Sequence, residues 1–124
     1  MLGDVRVAPL RALARETDAQ TLAEQLELVA IPAPPFGEEV RGARVLARFR
    51  ELGLADVRRD EEGNVLGSVP GAGTGAAPVV VAAHLDAVFA AGTELEPRHE
   101  GARIYAPGIT DSGSRSWKSS RVAW

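Results

Sequence analysis

The amino-acid sequence predicts an α/β fold in which helices pack on a mixed β-sheet. Two segments in the first half of the chain have apolar residues at helical spacing, and from about residue 55 the pattern changes to that of strands. A third observation is the apolar run from Pro78 to Ala83, which contains no charged residue. Such a run is typical of a strand that is covered on both faces. Helices followed by strands of this kind favour an α/β architecture.

The length and composition fit one globular domain or a piece of a larger one. The chain has 124 residues, of which 45% are hydrophobic and 25% charged. Its net charge of −3 gives no reason to expect a nucleic-acid partner or a membrane partner. It contains no cysteine, so a metal site would have to use His, Asp and Glu. We find no secretory leader or apolar run of membrane-spanning length, and we expect a cytoplasmic protein. The sequence does not indicate an oligomeric state.

The two helices account for most of the first half of the chain. The first is predicted from Asp18 to Val29, with Thr17 or Asp18 as its N-cap, and it ends at the proline-rich segment that follows. The second begins at Glu38 and ends before Gly53, a fitting residue for a left-handed helix terminus. We interpret four arginines of the second helix as an exposed face: Arg41, Arg44, Arg48 and Arg50.

The strands follow in the second half. Residues 56–59 and 65–69 are predicted to pair as a hairpin around the turn at 62–64. The glycine-rich residues 70–77 lack the Gly-Lys-Ser/Thr ending of a phosphate-binding loop, which favours a flexible linker. The segment from Val79 to Ala83 is predicted to be the central strand of the sheet.

A second, shorter hairpin is predicted farther along the chain. Its strands are residues 94–98 and 102–105. His99 is then expected to be solvated at the tip.

Three residues near strand ends are candidates for a metal site. His84 and Asp86 follow the apolar run, and two residues separated by one position in a strand point to the same side, so that the acid could orient the imidazole. Asp111 follows 25 positions after Asp86. Taken alone, His84 also fits a hydrogen-bonded structural histidine, and Asp111 fits an acid in a turn.

Four segments in order resemble the zinc-dependent peptidases and amidohydrolases of clan MH, which include peptidase T, acetylornithine deacetylase, succinyl-diaminopimelate desuccinylase and the glutamate carboxypeptidases. The resemblance covers about residues 18–111, and its segments are Ile31–Glu39, Glu62–Val65, Val81–Phe89 and Tyr105–Asp111.

The resemblance implies a function and a role for each candidate residue. His84 matches the ligand of the first zinc ion, Asp86 the acid that orients His84, and Asp111 the carboxylate that bridges two zinc ions. Manganese or cobalt could replace zinc at His/Asp sites. The implied reaction is hydrolysis of a peptide or N-acyl amide bond, with a small peptide or N-acyl amino acid as substrate. The implied fold is the amino-terminal portion of a three-layer catalytic domain.

The last residues of the chain depart from this family pattern. The family has a Glu-Glu pair after the bridging acid, then a further acid and a distal histidine, whereas residues 112–124 contain no Asp, Glu or His. Both tryptophans, the only lysine and five of the six serines lie in these 13 residues. We interpret residues 1–111 as the amino-terminal part of the catalytic domain and 112–124 as an atypical tail, with a frameshift as the hypothesis. The chain alone is expected to be an inactive, truncated metallohydrolase; the alternative is a non-catalytic binding or regulatory module, or an unstable pseudogene product.

Overall fold

A computed structural model describes residues 7–71, 75 and 77–110. The described elements are the helices α1 (Val7–Glu16), α2 (Asp18–Ala30) and α3 (Glu39–Glu51), and the strands β1 (Ala55–Arg59), β2 (Val65–Ser68), β3 (Arg98–Glu100) and β4 (Arg103–Tyr105). The chain divides into two compact units, one formed by the residues up to Ala30 with those from Glu96 onward, the other by Ile31–Leu95.

The first unit contains α1, α2 and the β3–β4 hairpin. Helix α2 confirms the first predicted helix to within one residue, but α1 was not predicted. The hydroxyl of Thr17 donates to the carbonyl of Leu13 in α1 at 3.0 Å, so this side chain closes α1 rather than accepting a bond as an N-cap. The Gln25 side-chain amide donates to the Ile109 carbonyl at 3.0 Å, which ties α2 to the segment after β4.

The β3–β4 hairpin confirms the second predicted hairpin, with a shifted first strand. The strand starts at Arg98 rather than Glu94, and His99 pairs with Ile104 instead of lying at the tip. Pro97 has no N–H to donate to a ladder, which is consistent with this start. Gly101, at φ 60°, provides the left-handed backbone of the two-residue turn. His99 is exposed, as expected.

The second unit contains α3 and the β1–β2 hairpin, both of which were predicted. Helix α3 ends at Glu51, and Gly53 takes a left-handed φ of 71°, as expected for a helix terminus. Strands β1 and β2 pair antiparallel, with an irregularity after Ala55 where Asp56 has a positive φ of 53°. Leu54 and Phe49 side chains contact this hairpin at Gly67, so α3 and its C-terminal turn pack on β2.

The prediction of a central strand at Val79–Ala83 is wrong for this structure. No strand is assigned between residues 77 and 95, and Val79, Val80 and Val81 are 91%, 81% and 92% exposed. A strand buried on both faces needs a hydrogen-bonded neighbour and covering helices. Within the described residues, the strands form only two separate two-stranded antiparallel sheets, and neither pairs with this segment.

The described architecture is therefore a mixture of helices and small antiparallel sheets, which is compatible with the α/β class in general. The mixed sheet on which the helices were predicted to pack is not present in the described residues. None of the described helices combines the length and the apolar character needed to cross a membrane.

Candidate metal-binding site

His84 and Asp86 lie in direct contact, although no strand carries them. The Nδ1 atom of His84 lies 3.1 Å from Oδ1 of Asp86 and 2.9 Å from the backbone oxygen of the same residue. Their side chains are 47% and 38% exposed, so the pair lies at the surface of its unit. The contact expected from the spacing of these two residues is thus observed, in a segment that has neither strand nor helix in the described structure.

This contact determines the proton position on a neutral His84. Both oxygens that face Nδ1 are acceptors when Asp86 is ionised, so Nδ1 must carry the proton and donate. In this tautomer the lone pair lies on Nε2, which makes Nε2 the ring atom able to bind a metal ion. Metal-binding histidines commonly donate their other ring N–H to a carboxylate in this way.

The residue between them, Leu85, is anchored to α3. Its Cδ1 atom lies 3.6 Å from the position that a Cβ would take on Gly42, and Cγ2 of Val65 lies 3.7 Å from the same point. Gly42 is buried in the helix face that meets them. Leu85 and the start of β2 therefore pack against the helix at Gly42.

The guanidinium of Arg41 provides the second anchor. Its Nη1 atom donates to the Leu85 carbonyl at 2.8 Å, while Nε and Nη2 donate to the Ile31 carbonyl at 3.1 and 2.5 Å. Burial lowers the pKa of Arg41, and the negative charge of Asp86 acts in the opposite direction. With a pKa far above neutrality in its unperturbed state, Arg41 remains a cation.

This role of Arg41 corrects the prediction that its helix face is merely exposed. Arg41, Arg44 and Arg48 are all partly buried, and only Arg50 of the four arginines is exposed. The spacing of the first three, at i, i+3 and i+7, places them on one stripe of the helix. That spacing was the signal in the sequence that could have predicted that Arg41 is partly buried whereas Arg50 is exposed.

The donor set of the described residues fits one part of a metal site. His84 with its orienting carboxylate is a suitable histidine ligand, but no group of three or more His, Cys, Asp or Glu side chains placed to hold a metal occurs in the part of the chain that is described. Asp111, the expected bridging ligand, lies outside the described residues. A catalytic zinc ion normally has three protein ligands.

Comparison of the chain with models of known protein families and with curated proteins gives no match. The resemblance to zinc-dependent peptidases and amidohydrolases therefore rests on the four segments of the sequence.

Proposed function

We propose that His84 and Asp86 belong to the site of a metal-dependent hydrolase of the peptidase and amidohydrolase type. The observation that carries this proposal is the bond from His84 Nδ1 to Asp86, which selects the tautomer able to bind a metal through Nε2. The order of the four sequence segments supports the choice of this family over other metal-binding classes. The proposal includes zinc as the metal and the cytoplasm as the compartment.

In the proposed site, His84 and Asp111 would hold the metal, and Asp86 would orient His84. A metal bound there would polarise the carbonyl of a peptide or N-acyl amide bond and increase the acidity of a bound water. Asp86 acts on the imidazole alone: it accepts a hydrogen bond from Nδ1–H, fixes the ring plane and makes Nε2 a better electron-pair donor to the metal. Asp111 would bridge two metal ions, as the resemblance implies.

The proposed site has two protein ligands, His84 and Asp111, and this number implies that the 124-residue chain binds metal weakly and is catalytically inactive. Two protein ligands are fewer than the three of a catalytic zinc site. A glutamate general base contributes about 10²–10⁴-fold to such a reaction, and residues 112–124 contain no glutamate to provide it. We therefore propose metal binding without turnover for this chain.

Zinc titration of the full chain tests the proposal. We expect weak binding that is lost in His84→Ala and is about tenfold weaker in Asp86→Ala, the lower end of the effect of removing an orienting carboxylate. His99→Ala is the matched control, because His99 is the only other histidine and lies exposed on β3. Binding that survives His84→Ala, or tight binding of two zinc ions by the monomer, would contradict the proposed site.

An activity assay provides the second test. The chain with zinc is expected to leave dipeptides and N-acyl amino acids intact. If the chain alone hydrolyses such substrates and His84→Ala abolishes the activity, the proposed metal site is supported. In that case another residue of the chain acts as the base.

A further inference from the structure

Arg41 joins two separate backbone segments to one helix. Its guanidinium uses two N–H groups on the Ile31 carbonyl and one on the Leu85 carbonyl. A planar guanidinium presents its donors in a fixed fork, so it can hold two acceptors in a defined relative position. A lysine ammonium in the same place is a point charge on a flexible stem and does not impose that geometry.

The Leu85 carbonyl is the part of this arrangement that matters for the site. Leu85 lies between His84 and Asp86, so the orientation of its carbonyl fixes the peptide plane that leads into Asp86. The contact of His84 Nδ1 with the backbone oxygen and side chain of Asp86 depends on that plane. In addition, no strand pairing holds this segment in the described structure.

The electrostatics favour the same arrangement. Arg41 is partly buried, and its charge interacts favourably with that of Asp86. The hydrogen bond to the Leu85 carbonyl is the contact through which Arg41 acts on the pair.

We propose that Arg41 is a positioning residue that holds His84 and Asp86 in the orientation required for metal binding, an inference that rests on the proposed function. Arg41 itself contacts neither a metal nor a substrate in this assignment. Its removal should allow the imidazole to leave the Nδ1–H tautomer, because the bond to Asp86 would lose its fixed geometry.

The experiment measures the ¹⁵N chemical shifts of the imidazoles in the full chain without metal. The pH is fixed where both histidines are neutral, and the concentration is kept below any self-association. We expect the Nδ1–H form at His84 in the unsubstituted chain and a mixture of both tautomers in Arg41→Met. Arg50→Met is the matched control, because Arg50 lies exposed on the same helix. It should leave the His84 spectrum unchanged.

A second Arg41 variant and a zinc titration test the same inference. If Arg41→Met does not fold, as judged by circular dichroism, Arg41→Lys retains the charge and the stem but not the fork, and it should still shift the tautomer population. A His84 tautomer population that is unaltered in a folded Arg41 variant overturns the inference.

Zinc affinity should fall about tenfold in Arg41→Met, and zinc binding equal to that of Arg50→Met also overturns the inference. Absence of zinc binding in the unsubstituted chain refutes the proposed function instead, and the metal-free tautomer measurement distinguishes the two failures.

Discussion

The backbone N–H of Ala87 donates to the carbonyl oxygen of Ala33 across 2.7 Å. Both residues are buried. Ala33 lies in Ile31–Glu39 and Ala87 in Val81–Phe89, two of the segments that carry the family resemblance. Two stretches identified separately along the sequence are therefore neighbours in the structure. The bond and the guanidinium of Arg41 together hold the residues that surround the candidate metal ligand.

The first prediction concerns Gly42, the buried glycine against which Leu85 packs. Gly42→Ala should stabilise the protein by about 1 kcal/mol, because alanine is the better residue inside a helix. The added Cβ would lie 3.6 Å from Leu85 and 3.7 Å from Val65, which are ordinary contact distances. Chemical denaturation monitored by circular dichroism measures the change.

Gly37→Ala is the matched comparison for Gly42→Ala. A Cβ at Gly37 would lie 2.9 Å from Cγ of Pro34, whose ring cannot move aside easily. The N–H of Gly37 also closes a turn by donating to the Pro34 carbonyl at 2.8 Å. We expect a loss of about 1–3 kcal/mol, as in other overpacked sites. Equal destabilisation by both substitutions would show that Leu85 and Val65 leave less room at Gly42 than these distances indicate.

The second prediction concerns Phe36, which occupies that turn with a positive φ of 63° and is 98% exposed. Left-handed backbone costs a residue with a Cβ about 1–2 kcal/mol, and asparagine tolerates it better than most residues. Phe36→Asn should therefore be more stable than Phe36→Ala by about 0.5–1 kcal/mol. Thermal denaturation of the two variants tests this, and a more stable alanine variant would argue against the left-handed turn. The exposed ring contributes no burial that either substitution would lose.

The elements that the sequence predicted correctly are those with local signals. Helices α2 and α3 have apolar stripes and clear stops at Ile31–Pro35 and Gly53, and the β1–β2 hairpin is connected by a short polar turn. Helix α1 was not predicted. It carries Pro9 in its first turn, a position where proline is tolerated because the N–H has no helical partner.

The predicted central strand at 79–83 and the contacts of Arg41 depend on distant partners. Whether the valines at 79–81 become a central strand is decided by neighbouring strands, which the described residues do not provide. The pairing of His84 with Asp86 was predictable from their spacing, whereas the bond from Arg41 to Leu85 joins positions 44 residues apart. No local pattern predicts that contact. The spacing of the arginines indicates only that Arg41 lies on a different side of the helix from Arg50.

The third prediction concerns the acid that closes the β1–β2 turn. The side-chain amide of Asn64 donates to Asp60 at 2.9 Å and its backbone N–H at 2.8 Å, and these bonds lower the pKa of Asp60. Asn64→Ala removes the side-chain donor, so the pKa of Asp60 should rise in a carboxyl NMR titration. An unchanged pKa would mean that the backbone donors alone cause the shift.

The same bond predicts a pH dependence of stability. A carboxylate with a lowered pKa in the folded state stabilises the protein above its unfolded pKa, about 3.9 for Asp, and this contribution disappears as pH falls through the folded value. The unsubstituted chain should therefore exceed Asn64→Ala in stability at neutral pH, and the difference should diminish in acid. Denaturation at several pH values checks this, and a difference that grows in acid would contradict it.

The last prediction concerns the exposed valines at 79–81. Uncharged segments rich in β-branched residues that lack a paired neighbour tend to add strands from other copies of the same chain. The described residues provide no strand partner for this segment, so we expect self-association that increases with protein concentration. Val80→Lys should reduce this self-association, because a lysine interrupts an apolar edge and repels its counterpart in a second copy.

Val40→Lys is the matched control, since Val40 is also exposed but lies in helix α3, where the backbone is already hydrogen-bonded. Light scattering over a concentration series, with thioflavin fluorescence for β-structure, measures both variants. Equal protection by the two lysines would show that added charge, rather than loss of strand pairing at 79–81, controls the association.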